Sequence, residues 1–142
     1  MLILVVENEL AQIEIAKREL NGLGFRVAIA RTLADAHRLM MVLQSALKGI
    51  ITDLHFPETN EDLMVDKTSD QPNGLAVIAE AVVHNIPVAV CSDINHHFCA
   101  YAKNVIAMMA THQNYSPHII PFKMDKKNWH QAGEELKNLI QK

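Results

Sequence analysis

Five short apolar runs alternate along this chain with segments of helical periodicity, and this alternation limits the fold more than any other feature. The runs are rich in β-branched residues and stop at polar residues or prolines, as buried strands do. They span residues 2–6, 25–30, 49–53, 87–91 and 118–122. The helical patterns span residues 11–20, 33–47, 74–83 and 95 to about 111, and a last helix is expected to be capped by Asp125.

Strands that alternate with helices are joined in parallel by right-handed crossovers, which place helices on both faces of one sheet. The sequence therefore predicts a three-layer α/β/α fold with a doubly wound sheet of five parallel strands. Chains of this kind commonly take the flavodoxin-like strand order 2-1-3-4-5. The carboxyl ends of the first, third, fourth and fifth strands then meet at one edge of the sheet.

The length and composition are those of one ordinary globular domain, which we expect to span residues 1–142. The chain is 49% hydrophobic, and its net charge of -3 gives no electrostatic basis for nucleic-acid binding. No apolar run reaches the roughly 18 residues of a membrane span, and the first run lacks the basic flank of a signal peptide. We therefore expect a cytoplasmic protein without a membrane segment, whose Cys91 and Cys99 are reduced thiols.

The third apolar run ends on an acidic residue. Residues 49–53 are largely β-branched up to Asp53, and Pro57 breaks the pattern. Ligands and chemistry collect at the carboxyl ends of strands in an open α/β sheet, so the Asp53 carboxylate is a candidate site. The alternative is that Asp53 only caps the turn after its strand. The residues predicted at the other strand ends of this edge are Glu7, Asn8, Ser92 and Lys123.

Together these positions resemble the receiver domain of two-component response regulators, over essentially the whole chain. Glu7 and Asn8 resemble the acidic pair after the family's first strand, and Asp53 resembles its phosphoacceptor aspartate. Ser92 resembles the switch serine or threonine that ends the fourth strand. Lys123 resembles the lysine that ends the fifth.

The resemblance implies a stand-alone signalling domain that accepts a phosphoryl group on Asp53. A carboxylate can attack a phosphoryl group if the negative charges brought together are neutralised. In the family's scheme Ser92 and Lys123 bind the phosphoryl oxygens, and Mg²⁺ supplies further positive charge. The implied magnesium ligands are Glu7, Asn8, Asp53 and the backbone carbonyl of His55.

The resemblance also implies partners. A histidine kinase or a phosphotransfer protein would donate the phosphoryl group, and output would go through protein contact. A homodimer through the fourth helix, the fifth strand and the fifth helix is one form that this contact could take. No enzymatic activity is expected beyond self-phosphorylation and dephosphorylation on Asp53.

Four residues depart from the family's pattern. Asn8 replaces a carboxylate ligand and should weaken Mg²⁺ binding, although it could equally be only the N-cap of the first helix. Asp93 follows Ser92, where a small residue is common, and could instead belong to the cap of the next helix. Ile120 replaces a frequent switch aromatic, and Met124 replaces the proline after the lysine, so the lysine's loop is expected to differ. Asn8, Asp93 and the missing aromatic favour a second hypothesis, a pseudo-receiver that acts by constitutive protein interaction without efficient phosphorylation.

An acidic insertion follows the third strand at about residues 58–73. It is about a dozen residues longer than the family's link and carries five acidic residues and one lysine. It could form an acidic lid, supply metal ligands or carry a partner surface. A solvated insertion without a role is the default interpretation, with a turn of helix around residues 63–65.

Overall fold

The computed structural model describes residues 1–65, 72–92, 104, 105, 108, 119–123 and 127–141, and of residues 119–123 it describes the backbone alone. The strands are β1 (Leu2–Val6), β2 (Arg26–Ala30), β3 (Leu47–Thr52), β4 (Val88–Cys91) and β5 (Ile119–Lys123). The helices with described bounds are α1 (Leu10–Gly22), α2 (Leu33–Leu43), α3 (Asn60–Met64), α4 (Gly74–Val83) and α5 (Trp129–Ile140). None of the described helices is long and apolar enough to cross a membrane.

All five strands form one parallel sheet in the order β2-β1-β3-β4-β5, which confirms the predicted flavodoxin-like topology. The edge position of β5 agrees with Pro121, because a residue without an N–H is tolerated in an edge strand. Most of the predicted fourth helix, at residues 95 to about 111, lies outside the described residues.

Each face of the sheet is covered by its own hydrophobic cluster. Along β1 the side chains of Leu4 and Val6 face one cluster, and those of Ile3 and Val5 face the other, because successive strand residues point to opposite faces. All four are fully buried. The first cluster includes Met40 of α2 and Ile78 of α4, and the second includes Leu20 of α1 with Trp129 and Leu136 of α5. A strand buried on both faces is expected to be continuously apolar, as this one is.

Two predicted helix boundaries are wrong. α2 ends at Leu43 and not at Leu47, because Leu47 opens β3 and pairs with Leu2 in the sheet. The last helix is not capped by Asp125. Its N-cap is Asn128, whose side chain accepts a hydrogen bond of 3.0 Å from the backbone N–H of Gln131.

The insertion begins on the amino end of α2. The backbone N–H groups of Leu33 and Ala34 donate to the carbonyls of Pro57 and Glu58, each at 3.0 Å. These amides lie in the first turn of α2, where no intrahelical acceptor exists. The insertion then forms α3, whose helical residues start earlier than the predicted turn. The first part of the insertion is therefore docked on the domain and is not a freely solvated loop.

The insertion ends against the loop that follows β3. The Gly74 N–H donates to the Leu54 carbonyl at 2.9 Å, and the Asn73 side-chain amide donates to the Phe56 carbonyl at 2.8 Å. Residues 66–71 lie between the two anchored ends and outside the described residues. Hydrogen bonds at both ends of the insertion thus hold residues 54–57, the loop that follows Asp53.

Candidate functional site

Three buried polar side chains follow directly after strands of the sheet. Glu7 follows β1, Asp53 follows β3 and Ser92 follows β4, with exposed fractions of 0%, 2% and 0%. In the register of the two central strands Val6 pairs with Thr52, and the Asp53 N–H donates to the Val6 carbonyl at 2.9 Å. The fold therefore brings Glu7 and Asp53 side by side, with Ser92 on the next strand.

Lys127, which is not among the residues predicted from the sequence, completes this cluster. Its Nζ atom lies 2.5 Å from Glu7 Oε1 and 3.0 Å from Asp53 Oδ2. Its side chain is only 5% exposed. The ammonium group therefore bridges the two carboxylates inside the protein. We call Glu7, Asp53 and Lys127 the charge triad.

Lys123, the lysine chosen from the sequence, ends β5, where its Cα pairs with that of Cys91. Its side chain lies outside the described residues, so its role in binding a phosphoryl group stays a prediction. Lys127 stands four residues further along the chain. Met124, which replaces the family's proline after Lys123, indicated only that the loop after this lysine would differ.

Every carboxylate oxygen of the triad accepts a hydrogen bond. Glu7 Oε2 accepts from the backbone N–H groups of Asn8, at 2.8 Å, and Glu9, at 3.2 Å. Asp53 Oδ1 accepts from the backbone N–H of Leu54 at 2.7 Å. The other oxygen of each carboxylate contacts the lysine. Both carboxylates are thus held in place by the protein itself.

Burial sets the electrostatics of the triad. It raises the pKa of Glu7, and the neighbouring Asp53 charge raises it further. Burial also raises the pKa of Asp53, against the opposing effect of Lys127. For Lys127 burial acts to lower the pKa, but Asp53 and Glu7 outweigh it and raise the pKa. The lysine therefore keeps its proton, and both carboxyl groups lie against its positive charge.

Ser92 stands close to the phosphoacceptor candidate without a strong bond to it. Its hydroxyl is buried and forms no hydrogen bond of ordinary geometry with a described residue. The same hydroxyl nevertheless helps to lower the pKa of Asp53, so it lies near that carboxylate. Ser92 is therefore a buried hydroxyl beside Asp53, and its role as a switch residue stays a prediction.

Asn8 is not a helix cap, so that alternative is wrong. The N-cap of α1 is Glu9, which makes no side-chain cap bond. The backbone carbonyl of Asn8 instead accepts from Arg31 Nη2 at 2.7 Å and from Arg31 Nε at 3.2 Å. Its side chain is half-buried next to Glu7. Its role as a metal ligand stays a prediction.

The start of α4 touches the backbone of the phosphoacceptor candidate. A Cβ atom at Gly74 would lie 2.2 Å from the Asp53 carbonyl oxygen and 2.8 Å from Leu54 Cα. Glycine is therefore the residue that fits there. This contact fixes the chain immediately behind the Asp53 side chain.

The pocket as arranged does not fit a divalent metal ion. The space between the Glu7 and Asp53 carboxylates, where such an ion would bind, holds the Lys127 ammonium. Within the described residues no group of three or more His, Cys, Asp or Glu side chains is placed to hold a metal. His55 is buried, and its carbonyl as a ligand stays a prediction. Asp93 lies outside the described residues.

No protein-family model matches the sequence, and no curated protein sequence matches it. Many solved structures do match the structure of this chain. A response regulator receiver protein from Sinorhizobium medicae is 21% identical, and the match covers 99% of this chain and 94% of that chain with a TM-score of 0.66. A receiver domain protein from Clostridium thermocellum is 15% identical over 99% and 94% of the two chains, with a TM-score of 0.65.

A response regulator from Thermotoga maritima, solved in complex with Mg²⁺ and BeF, is 18% identical. The match covers 97% of each chain with a TM-score of 0.63. Structural similarity at these sequence identities establishes the fold. It does not establish the chemistry, which depends on the site residues described above. The chain therefore has the fold of response regulator receiver domains.

Proposed function

We propose that this chain is a receiver-like signalling domain that accepts a phosphoryl group on Asp53 and signals by protein contact. The observation that carries the proposal is the Asp53 carboxylate at the carboxyl end of β3, paired with a buried lysine at 3.0 Å. A carboxylate at this edge is a usable nucleophile, and a lysine beside it can neutralise phosphoryl oxygens.

The proposed reaction uses Asp53 Oδ2 as the nucleophile, which Lys127 frees as it moves to the incoming phosphoryl oxygens, while Oδ1 stays bound to the Leu54 N–H. Attack on a phosphohistidine forms a P–O bond, and the P–N bond of the donor breaks with its electron pair left on the imidazole. Lys127 then pairs with the new phosphoryl oxygens. The Ser92 hydroxyl donates a hydrogen bond to one of these phosphoryl oxygens. Lys123 is a second candidate for the cation that pairs with them. No step passes through Mg²⁺, because the described pocket does not fit it.

The proposed donors are a histidine kinase or a phosphotransfer protein, which would meet the chain in the cytoplasm. The predicted output surface combines residues 95–111 with β5 and α5. Much of it lies outside the described residues, so a homodimer through it stays a prediction.

Intact-mass measurement after incubation with acetyl phosphate or phosphoramidate tests the proposal. We expect one phosphoryl adduct, removed by hydroxylamine as an acyl phosphate should be. Asp53→Asn should abolish it. The matched control Asp62→Asn, in α3, should keep it. A folded wild-type protein that forms no adduct with either donor would contradict the proposal.

One observation favours a second candidate, the pseudo-receiver. The Lys127 ammonium already bridges both carboxylates, and Asp53 is 2% exposed. A pocket whose two carboxyl groups already share a bound cation can hold one conformation without phosphorylation. This candidate predicts no adduct under any condition and the same partner binding for wild type and Asp53→Asn. A partner released or recruited only after labelling would exclude it.

A further inference from the structure

We infer that Lys127 is the resident cation of the pocket and excludes divalent metal ions from the Glu7 and Asp53 carboxylates. The inference goes beyond the proposed function, because it concerns the resting protein. It holds whether or not Asp53 is ever phosphorylated.

Position is the first reason. An ion that bridges Glu7 and Asp53 would have to lie about 2.0–2.1 Å from an oxygen of each, if it were Mg²⁺. The Lys127 Nζ atom contacts Glu7 Oε1 at 2.5 Å and Asp53 Oδ2 at 3.0 Å, and the other oxygen of each carboxylate already accepts a backbone N–H. The ammonium and the metal ion therefore need the same space.

Charge is the second reason. The triad carries two carboxylates and one ammonium, and Asn8, the neighbour of Glu7, adds no negative charge. A divalent ion placed beside a buried ammonium would be strongly repelled, because buried charges are poorly screened. Metal entry therefore requires that Lys127 leave its two partners. The lysine is part of the chain, so its effective concentration at the site exceeds that of a free ion.

The chain after Lys127 holds the lysine in place. Asn128 caps α5 through its bond to the Gln131 N–H. Trp129 is 1% exposed, and its Nε1 donates to Gln12 Oε1 on α1 at 2.9 Å. The two residues next to the lysine are thus fixed to two helices. The position of the ammonium follows from packing and is not that of a loose surface side chain.

Two measurements on the unphosphorylated protein test the inference: Mn²⁺ binding by electron paramagnetic resonance, and thermal unfolding in EDTA and in excess Mg²⁺. The wild-type Tm should be the same in both solutions. Lys127→Met should have a lower Tm in EDTA, partly restored by Mg²⁺. Its Mn²⁺ affinity should exceed that of wild type by about tenfold or more, because the competing charge is gone.

A second variant guards against misfolding, since Lys127→Met leaves two buried carboxylates uncompensated. Lys127→Gln keeps an N–H donor for the carboxylates but removes the charge, and it should also gain Mn²⁺ binding. Lys48→Met, at an exposed lysine in β3, is the matched control and should behave as wild type. Wild type that binds Mn²⁺ as tightly as Lys127→Gln, or whose Tm rises equally with Mg²⁺, would overturn the inference. Neither outcome depends on whether acetyl phosphate labels Asp53.

Discussion

The two sides of the pocket are built differently. The carboxylate side, Glu7 and Asp53, follows β1 and β3, which are inner strands with a hydrogen-bonded neighbour on each side. Glu7 and Asp53 are the first residues after these strands. The lysine side, Lys127, follows β5, an edge strand that pairs only with β4. Lys127 lies four residues beyond the end of that strand.

The difference shows how sheet position controls where a side chain can be found from sequence. The exit of a central strand is fixed by two neighbouring ladders and by helices on both faces. An edge strand is held on one side only, so the chain between its end and the site can change length without disturbing the sheet. The positions of Glu7 and Asp53 can therefore be predicted from the ends of their strands. The position of Lys127 follows only from its contacts in the structure.

The largest expected effect comes from removing the cation. Lys127→Met should lower the free energy of unfolding by about 3–5 kcal/mol, because it leaves buried carboxylates without their partner. The exposed control Lys48→Met should change it by less than about 0.5 kcal/mol, and Lys123→Met is measured beside it. Urea titration followed by circular dichroism measures all three. A large loss in Lys123→Met with none in Lys127→Met would mean that Lys123 is the lysine of this pocket.

A smaller effect is expected on the carboxylate side. Gly74→Ala would place a Cβ atom 2.2 Å from the Asp53 carbonyl oxygen, so the backbone behind the carboxylate has to shift. We expect a loss of about 1–3 kcal/mol in urea unfolding. Gly22→Ala is the matched control, since nothing lies within 4 Å of its Cβ position. If both variants unfold alike, α4 does not constrain Asp53 in the way described.

Most of the fold could be predicted from the sequence. The apolar runs of β1 and β4 and the helical period of α4 mark elements that are buried by many neighbours, and tertiary packing agrees there with the local pattern. The strand order follows from the alternation of strands and helices. Leu47 shows the limit. It continues the helical spacing of α2, but pairing with Leu2 in the sheet determined its conformation.

The candidate site was predictable in part. Glu7, Asp53 and Ser92 stand directly at strand ends, so the topology alone brings them together. Lys127 depends on the course of the chain between β5 and α5, which no periodic pattern describes. The docking of the insertion on α2 also escaped prediction, because it depends on the backbone hydrogen bonds that Leu33 and Ala34 donate, and these leave no trace in side-chain type.

The smallest expected effect tests whether the lysine side depends on the helix that follows it. Asn128→Ala removes the side-chain cap of α5 and should lower the free energy of unfolding by about 1 kcal/mol. Because Asn128 adjoins Lys127, fraying at this end should also loosen the ammonium, so that excess Mg²⁺ raises the Tm slightly. Asn138→Ala, the same substitution at an exposed position of α5, should show neither change. A capping loss without any response to Mg²⁺ would mean that the carboxylates alone hold Lys127, and that both sides of the pocket depend on the central strands.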